Sequence, residues 1–253
     1  MALKTYLHEN RKLKYAMKTK LLLAAGVIVL FFTACTDELF LHGNGIPVSE
    51  ARLVPAFSSV SSEGNFEVHV TQGDVSEVLV HGESNLLPYI ETDVRGNNLR
   101  IRLQGMHILK NRLPVEVFVT VPYIEKLVQS GSGVITTGKF NGESIMYVVS
   151  GSGAIETSAE AKAVDAVVSG SGYLYLTGAA QDARMTMSGS GKIGAWNFSV
   201  RNCDAQITGS GDIWIDVDYY LKAVISGSGN VFYSGTPRIE MVVSGSGGVI
   251  HKN

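Results

Sequence analysis

The chain has 253 residues, 45% hydrophobic and 17% charged, which is apolar enough for a packed core and too sparsely charged for a disordered chain. Six of its 21 Lys and Arg and one of its 23 acidic residues precede Leu21, so the remainder holds 15 basic against 22 acidic residues, a net −7 with His neutral. Such an acidic body argues against a nucleic-acid partner, and 28 glycines without a three-residue period exclude collagen.

Lys18 and Lys20 precede an uncharged run from Leu21 to Phe32, followed by Thr33, Ala34 and Cys35. A basic segment, a short apolar core and small residues before a cut site make a secretory signal over residues 1–34. The run is shorter than the roughly 20 residues a bilayer span requires. Met17 is an alternative start, because residues 1–16 add nothing to the pattern. Ala34-Cys35 resembles a bacterial lipobox, although Phe32 stands where Leu is usual. The resemblance implies cleavage before Cys35 and acylation of its thiol, so that Cys35 carries the chain on the membrane. Residues 35–48, with Gly43, Asn44, Gly45 and Pro47, read as the lipidated cysteine and a tether. Cys203 is the second of two cysteines, and it reads as a small buried hydrophobe.

Residues 49–123 read as a β-rich module. Phe66 to Val70, Leu99 to Leu103 and Val115 to Val119 alternate apolar and polar residues, as half-buried strands do. Leu86 to Ile90 suits a short helical turn.

From residue 124 to 253 the chain repeats. Ser130-Gly131-Ser132-Gly133 recurs from Ser150, Ser169, Ser188, Thr208, Ser226 and Ser244, at spacings of 20, 19, 19, 20, 18 and 18. Five residues after each start stands an aliphatic residue: Ile135, Ile155, Leu174, Ile193, Ile213, Val231 and Val249. The apolar columns are separated by even numbers of residues, which is strand and not helix periodicity. Coils this short cannot hold a strand, a regular helix and their loops, so the prediction is an all-β solenoid capped by the preceding module. The same parity turns the hydroxyls outward, to form ladders along the stack. It turns inward Gly131, Gly133, Gly151, Gly153, Gly170, Gly172, Gly189, Gly191, Gly209, Gly211, Gly227, Gly229, Gly245 and Gly247. Glycine costs roughly 0.5–1 kcal/mol against Ala in regular structure, so its recurrence signals a bend, or walls too close for a Cβ. The coil formed by residues up to Val249 and Ile250 leaves a bare edge that could meet a second copy.

Several residues together resemble the putative auto-transporter adhesin, head GIN domain family of Bacteroidetes. They are Phe57 to Val60, Phe66 to Gly73, Asn85 to Ile90, and Val119 to Pro122 leading into the Ser-Gly copies. The resemblance implies a right-handed parallel β-helix in a secreted or lipid-anchored protein, and it carries no catalytic residues.

Functional chemistry is sparse. Ser188 to Lys192 imitates a phosphate loop but lacks the hydroxyl residue after the Lys. His42, His69, His81, His107 and His251 show no metal-ligand spacing, so neither metal nor cofactor is expected. The candidate ligand face comprises Tyr175, Trp214, Asp216 and Asp218, with Tyr173, Phe232 and Tyr233 extending an aromatic strip that can stack on sugars. The expected function is non-enzymatic adhesion to a glycan or protein, from a lipid-anchored outer-membrane position whose surface or periplasmic face stays open. The alternatives are a structural, oligomer-forming envelope protein and a polysaccharide-degrading enzyme.

Overall fold

A computed structural model describes residues 39–252. The signal segment and Cys35 lie outside the described residues. In chain order the first strands are β1 (Phe40–His42), β2 (Pro47–Arg52), β3 (Ser59–Glu63), β4 (Glu67–Gln72) and β5 (Glu77–Glu83). A 3-10 turn, Leu87–Tyr89, sits where a helical turn was expected, and β6 (Ile90–Arg95), β7 (Asn98–Leu103), β8 (Ile108–Lys110) and β9 (Glu116–Val121) follow. The repeat forms β10 (Lys126–Gly131), β11 (Val134–Gly151), β12 (Ala154–Gly170), β13 (Tyr173–Gly189), β14 (Lys192–Gly209) and β15 (Asp212–Gly227). It ends in β16 (Asn230–Ser234), β17 (Arg238–Gly245) and β18 (Gly248–His251). Among the described residues, no helix is long and apolar enough to cross a membrane, which says nothing of strands.

Two compact units are present. The described part of the smaller one holds Leu39–Leu41 and Met106–Lys110, where Ile108 donates its N–H to the Leu39 carbonyl. The Lys110 ammonium there lies 5.3 Å from the Phe40 ring centre.

The larger unit is a β-solenoid of about seven turns. Each of β11 to β15 follows almost one whole coil and pairs in parallel with the next. Register is set by side-chain shape inside the coil. Ile135, Ile155, Leu174, Ile193, Ile213, Val231 and Val249 stand in one column, and all but the last are fully buried. A second column runs Ile145, Val164, Ala183, Cys203 and Leu221. Cys203 is therefore a core residue, and burial pushes its thiol up to about 12. Each large aliphatic side chain contributes roughly 1.5–3 kcal/mol through burial, and a one-residue slip would turn the whole column outward.

Residues 49–123 continue these sheets. Strands β3 and β4 form the coil beneath β10 and β11, and β7 and β9 form the coil beyond it, all in parallel. The chain thus builds an inner coil first, then the outer one, and returns past it to start the repeat. Antiparallel strands close this end: β6 on β7, and β5 then β2 on β9. They cover parallel edges that would otherwise template another chain.

From His42 onward, the segment read as a tether belongs to this larger unit. Buried Glu83 holds it: one carboxylate oxygen accepts the Gly45 N–H at 2.5 Å. The other accepts the N–H groups of Arg112 at 2.7 Å and Leu113 at 3.3 Å. Burial pushes this carboxyl up, but the three backbone donors and the Arg112 charge outweigh it and hold it below the ordinary range.

Candidate ligand-binding site

The Ser-Gly-Ser-Gly turn is a backbone rung. Its first glycine has positive φ in every copy, as at Gly170, +112°. The Gly170 carbonyl accepts two N–H groups from the next coil, Ser190 at 2.9 Å and Gly191 at 3.0 Å. A Cβ on Gly170 would meet the Gly151 carbonyl oxygen at 2.7 Å, and one on Gly172 would meet the Val149 side chain at 2.6 Å. The close approach runs along the stack, from coil to coil, and not between facing walls. The hydroxyls stand in register on the outside but scarcely bond as a ladder. Among the described residues, one direct hydroxyl pair joins motif copies, Ser246 to Ser228 at 3.1 Å.

Beyond the rung, two outward columns run along the stack. The first holds Tyr173, Lys192, Asp212 and Asn230, and the second holds Tyr175, Gly194, Trp214 and Phe232. Trp214 stacks on Phe232 with ring centres 4.9 Å apart and planes 17° off parallel. Its opposite face meets the Lys192 ammonium, 3.8 Å from the ring centre. Between Tyr175 and Trp214 the column has only Gly194, whose Cβ position lies 3.0 Å from a Tyr175 ring carbon.

The coil of β14 bulges here. Tyr175 aligns with Gly194 but Thr177 with Asn197, and on the other side Ala195 aligns with Ile215 but Ser199 with Asp216. The extra residues bring Trp196 and Asn197 to the rim of a cavity of about 550 Å³. Tyr175, Leu176, Thr177, Lys192, Gly194, Trp214 and Lys252 line the rest. Ligand sites commonly span about 300–1,000 Å³, and bulges recur beside such sites because they re-aim side chains.

Of the expected ligand face, the structure brings Tyr175 and Trp214 to this cavity and leaves the carboxylates out. Asp216 accepts the Ser234 hydroxyl at 2.6 Å, and Asp218 stands exposed where the inward parity changes. Tyr233 leaves the aromatic strip too: it aligns with inward Ile215 and tilts against His251, 5.0 Å away. Tyr173 stacks loosely on Tyr175, with ring centres 6.3 Å apart. Lys192, Trp196, Asn197 and Lys252 are the residues that sequence reasoning missed.

The strand register also gathers Glu67, His69 and Glu116, whose ligand atoms lie within 4.8 Å of one another. His69 already has partners on both nitrogens: Nδ1 is 2.8 Å from the Thr136 hydroxyl, and Nε2 is 3.8 Å from Glu116.

The family described as "Putative auto-transporter adhesin, head GIN domain" matches residues 56–237. The chain belongs to this family. The span matched by the head GIN domain holds every residue lining the cavity except Lys252. Several solved structures resemble the chain, among them the following three. A putative adhesin from Bacteroides fragilis has TM-score 0.78 at 19% identity, covering 84% of this chain and 100% of that one. A putative lipid binding protein from Parabacteroides distasonis has TM-score 0.73 at 22% identity, covering 85% and 100%. A putative adhesin from Parabacteroides merdae has TM-score 0.66 at 20% identity, covering 85% and 99%. At these identities the likeness shows the head GIN fold and nothing finer. No curated protein matches the chain.

Proposed function

We propose that this chain is a non-enzymatic adhesion module, lipid-anchored through Cys35 to the outer membrane, that takes a glycan or protein ligand on the face after the Ser-Gly turn. The observation that carries the reading is the cavity on β13 to β15. It is edged by aromatic rings on a rigid stack of coils, and its charged lining residues are two lysines. Hydrolysis of a glycosidic bond by a carboxylate pair would need acidic groups within reach of the bond, and Asp216 is turned to Ser234 instead. The family name and the resemblance to putative adhesins support adhesion, and the sequence motif around Cys35 supports the anchor.

The test is a glycan and matrix-protein array probed with the detergent-solubilised full chain, with product analysis of each bound polysaccharide. Binding without cleavage is expected. Cleavage lost in Asp216→Asn would overturn the non-enzymatic reading, and an array with no bound ligand would overturn adhesion. In intact cells, protease shaving should remove the domain, and Cys35→Ala should release it from the membrane fraction.

One observation favours a second reading, a contact between two copies. In β17 the inward column continues through Ile239, Met241 and Val243, which are 38%, 61% and 39% exposed. These residues cover Leu221, Ala223 and Ile225 of the preceding coil, as a further coil would cover them. A second copy would bury the same column. Met241→Glu should then convert a dimer to a monomer by light scattering, and a wild-type chain that is already monomeric would end this reading.

A further inference from the structure

The aromatic column of the candidate site is missing a rung. Tyr175, Trp214 and Phe232 occupy three of four consecutive positions, and Gly194 occupies the fourth. The Tyr175 ring leans toward Gly194, with a ring carbon 3.0 Å from its Cβ position, but coils rise by about 4.8 Å, so a ring entering on the open side of Trp214 would lie roughly 4.8 Å from it. That is the spacing at which flat rings and sugar faces pack on aromatics. Phe232 already covers one face of Trp214. The face left for a ligand is the one toward Gly194, where the Lys192 ammonium now sits.

The charges around the slot run against the rest of the molecule. The chain after residue 20 carries −7, with His neutral, yet the cavity lining contains Lys192 and Lys252 and no carboxylate. Asp212 is beside Lys192 in register and outside the lining, and its Oδ1 accepts the backbone N–H and the side-chain amide of Asn230, at 2.9 and 3.2 Å. Among the described residues, the lysines in ion pairs are Lys139 and Lys162, and neither Lys192 nor Lys252 has a carboxylate partner.

We propose that this slot binds an acidic sugar, a pyranose carrying a carboxylate, with its ring between Tyr175 and Trp214 and its carboxylate paired with Lys192. This rests on the adhesion reading and narrows it to a ligand class. A neutral sugar would displace the Lys192 ammonium from Trp214 and offer it only uncharged hydroxyl acceptors, whereas a uronic or sialic acid supplies the carboxylate partner it lacks. Thr177 and Asn197 on the rim offer a hydroxyl and an amide to ring hydroxyls.

The site reports on itself, because the chain has two tryptophans and both, Trp196 and Trp214, line this cavity. The experiment titrates the full chain by tryptophan fluorescence with oligogalacturonate and sialyl-lactose. Matched neutral oligosaccharides and micelles of the anionic lysophosphatidylglycerol serve as separate arms. Acidic sugars should bind about tenfold or more tighter than neutral ones, the worth of a charge-assisted contact, and should weaken with salt. Lys192→Gln should bring the two classes to parity. Gly194→Phe fills the rung. Its Cβ would meet only side-chain carbons of Tyr175 at 3.0 and 3.2 Å and of Lys192 at 3.7 Å. It should therefore abolish binding, and because the Tyr175 ring must move aside by a few tenths of an ångström, a melting temperature within a few degrees of wild type is the control for folding. Equal affinity for neutral sugars, or full binding by Lys192→Gln, would overturn the slot while leaving adhesion standing on the array result. Quenching by the micelles alone would overturn it in favour of an anionic lipid. A blank array together with a blank titration would overturn both readings.

Discussion

Gly170→Val should lower the unfolding free energy by about 4 kcal/mol, while Ser171→Ala should change it by less than about 0.5 kcal/mol. Two separate costs fall on the valine. Gly170 has φ +112°, a region that β-branched residues do not adopt, and holding one there costs roughly 1–3 kcal/mol. Its Cβ would also press on the Gly151 carbonyl oxygen from 2.7 Å. That oxygen cannot yield, because it accepts the Ser171 N–H at 3.0 Å. Crowding of this kind adds roughly 1–3 kcal/mol. Ser171 is exposed, and its hydroxyl has no bond for alanine to lose. In a domain of this size the valine effect corresponds to a fall of roughly 10 °C in melting temperature. Calorimetry of the two variants decides it: equal shifts would mean that the glycines are not the steric element of the turn.

The solenoid was legible because its cause is written locally. A rung that must be glycine, followed five residues after its start by an aliphatic residue, repeats once per coil whatever else the coil contains. The cap was not legible in the same way. That β7 and β9 lie outside β3 and β4, with the chain returning to β10, depends on pairings between strands with no repeated spacing. The candidate site was half legible. Parity found Tyr175 and Trp214, since outward positions two residues apart on neighbouring coils must align. It lost Tyr233 by one residue, because Phe232 holds the outward position and its neighbour turns inward. Asp216 was placed on the ligand face, although Ser234 stands 18 residues further on, one coil away, and bonds to it. Trp196 and Asn197 had a signal that went unread. The copy starting at Ser188 is 20 residues long beside neighbours of 19 and 18, and the surplus is the bulge that carries them to the rim.

Glu83 was invisible in the sequence because its partners are backbone groups, one on the segment read as a tether and two at Arg112 and Leu113 of the β-rich module, and it gives the fold an acid-sensitive point. In the folded chain its carboxyl lies below the ordinary value of 4.5. Burial alone would raise it, but the N–H groups of Arg112, Gly45 and Leu113 all require the ionised form. A group whose folded pKa is depressed binds protons more readily when unfolded. Its stabilisation is therefore complete above 4.5 and disappears as pH falls through the lower folded value. Glu83→Gln keeps the shape but aims an amide NH₂ at a donor, so its melting temperature at neutral pH should lie several degrees below wild type. The informative quantity is how that gap changes in denaturant or thermal melts from about pH 7 to about pH 3. It should be widest above 4.5 and close toward the acid end, because protonation then disables Glu83 in the wild type as the amide does in the variant. Asp93, also held low, chiefly by its bond to Arg95, titrates in both proteins and cancels from the difference. A gap that stays constant across the range would show that the substitution merely disturbs packing, and that the ionised carboxylate is not what fastens residues 43–46 to the coil stack.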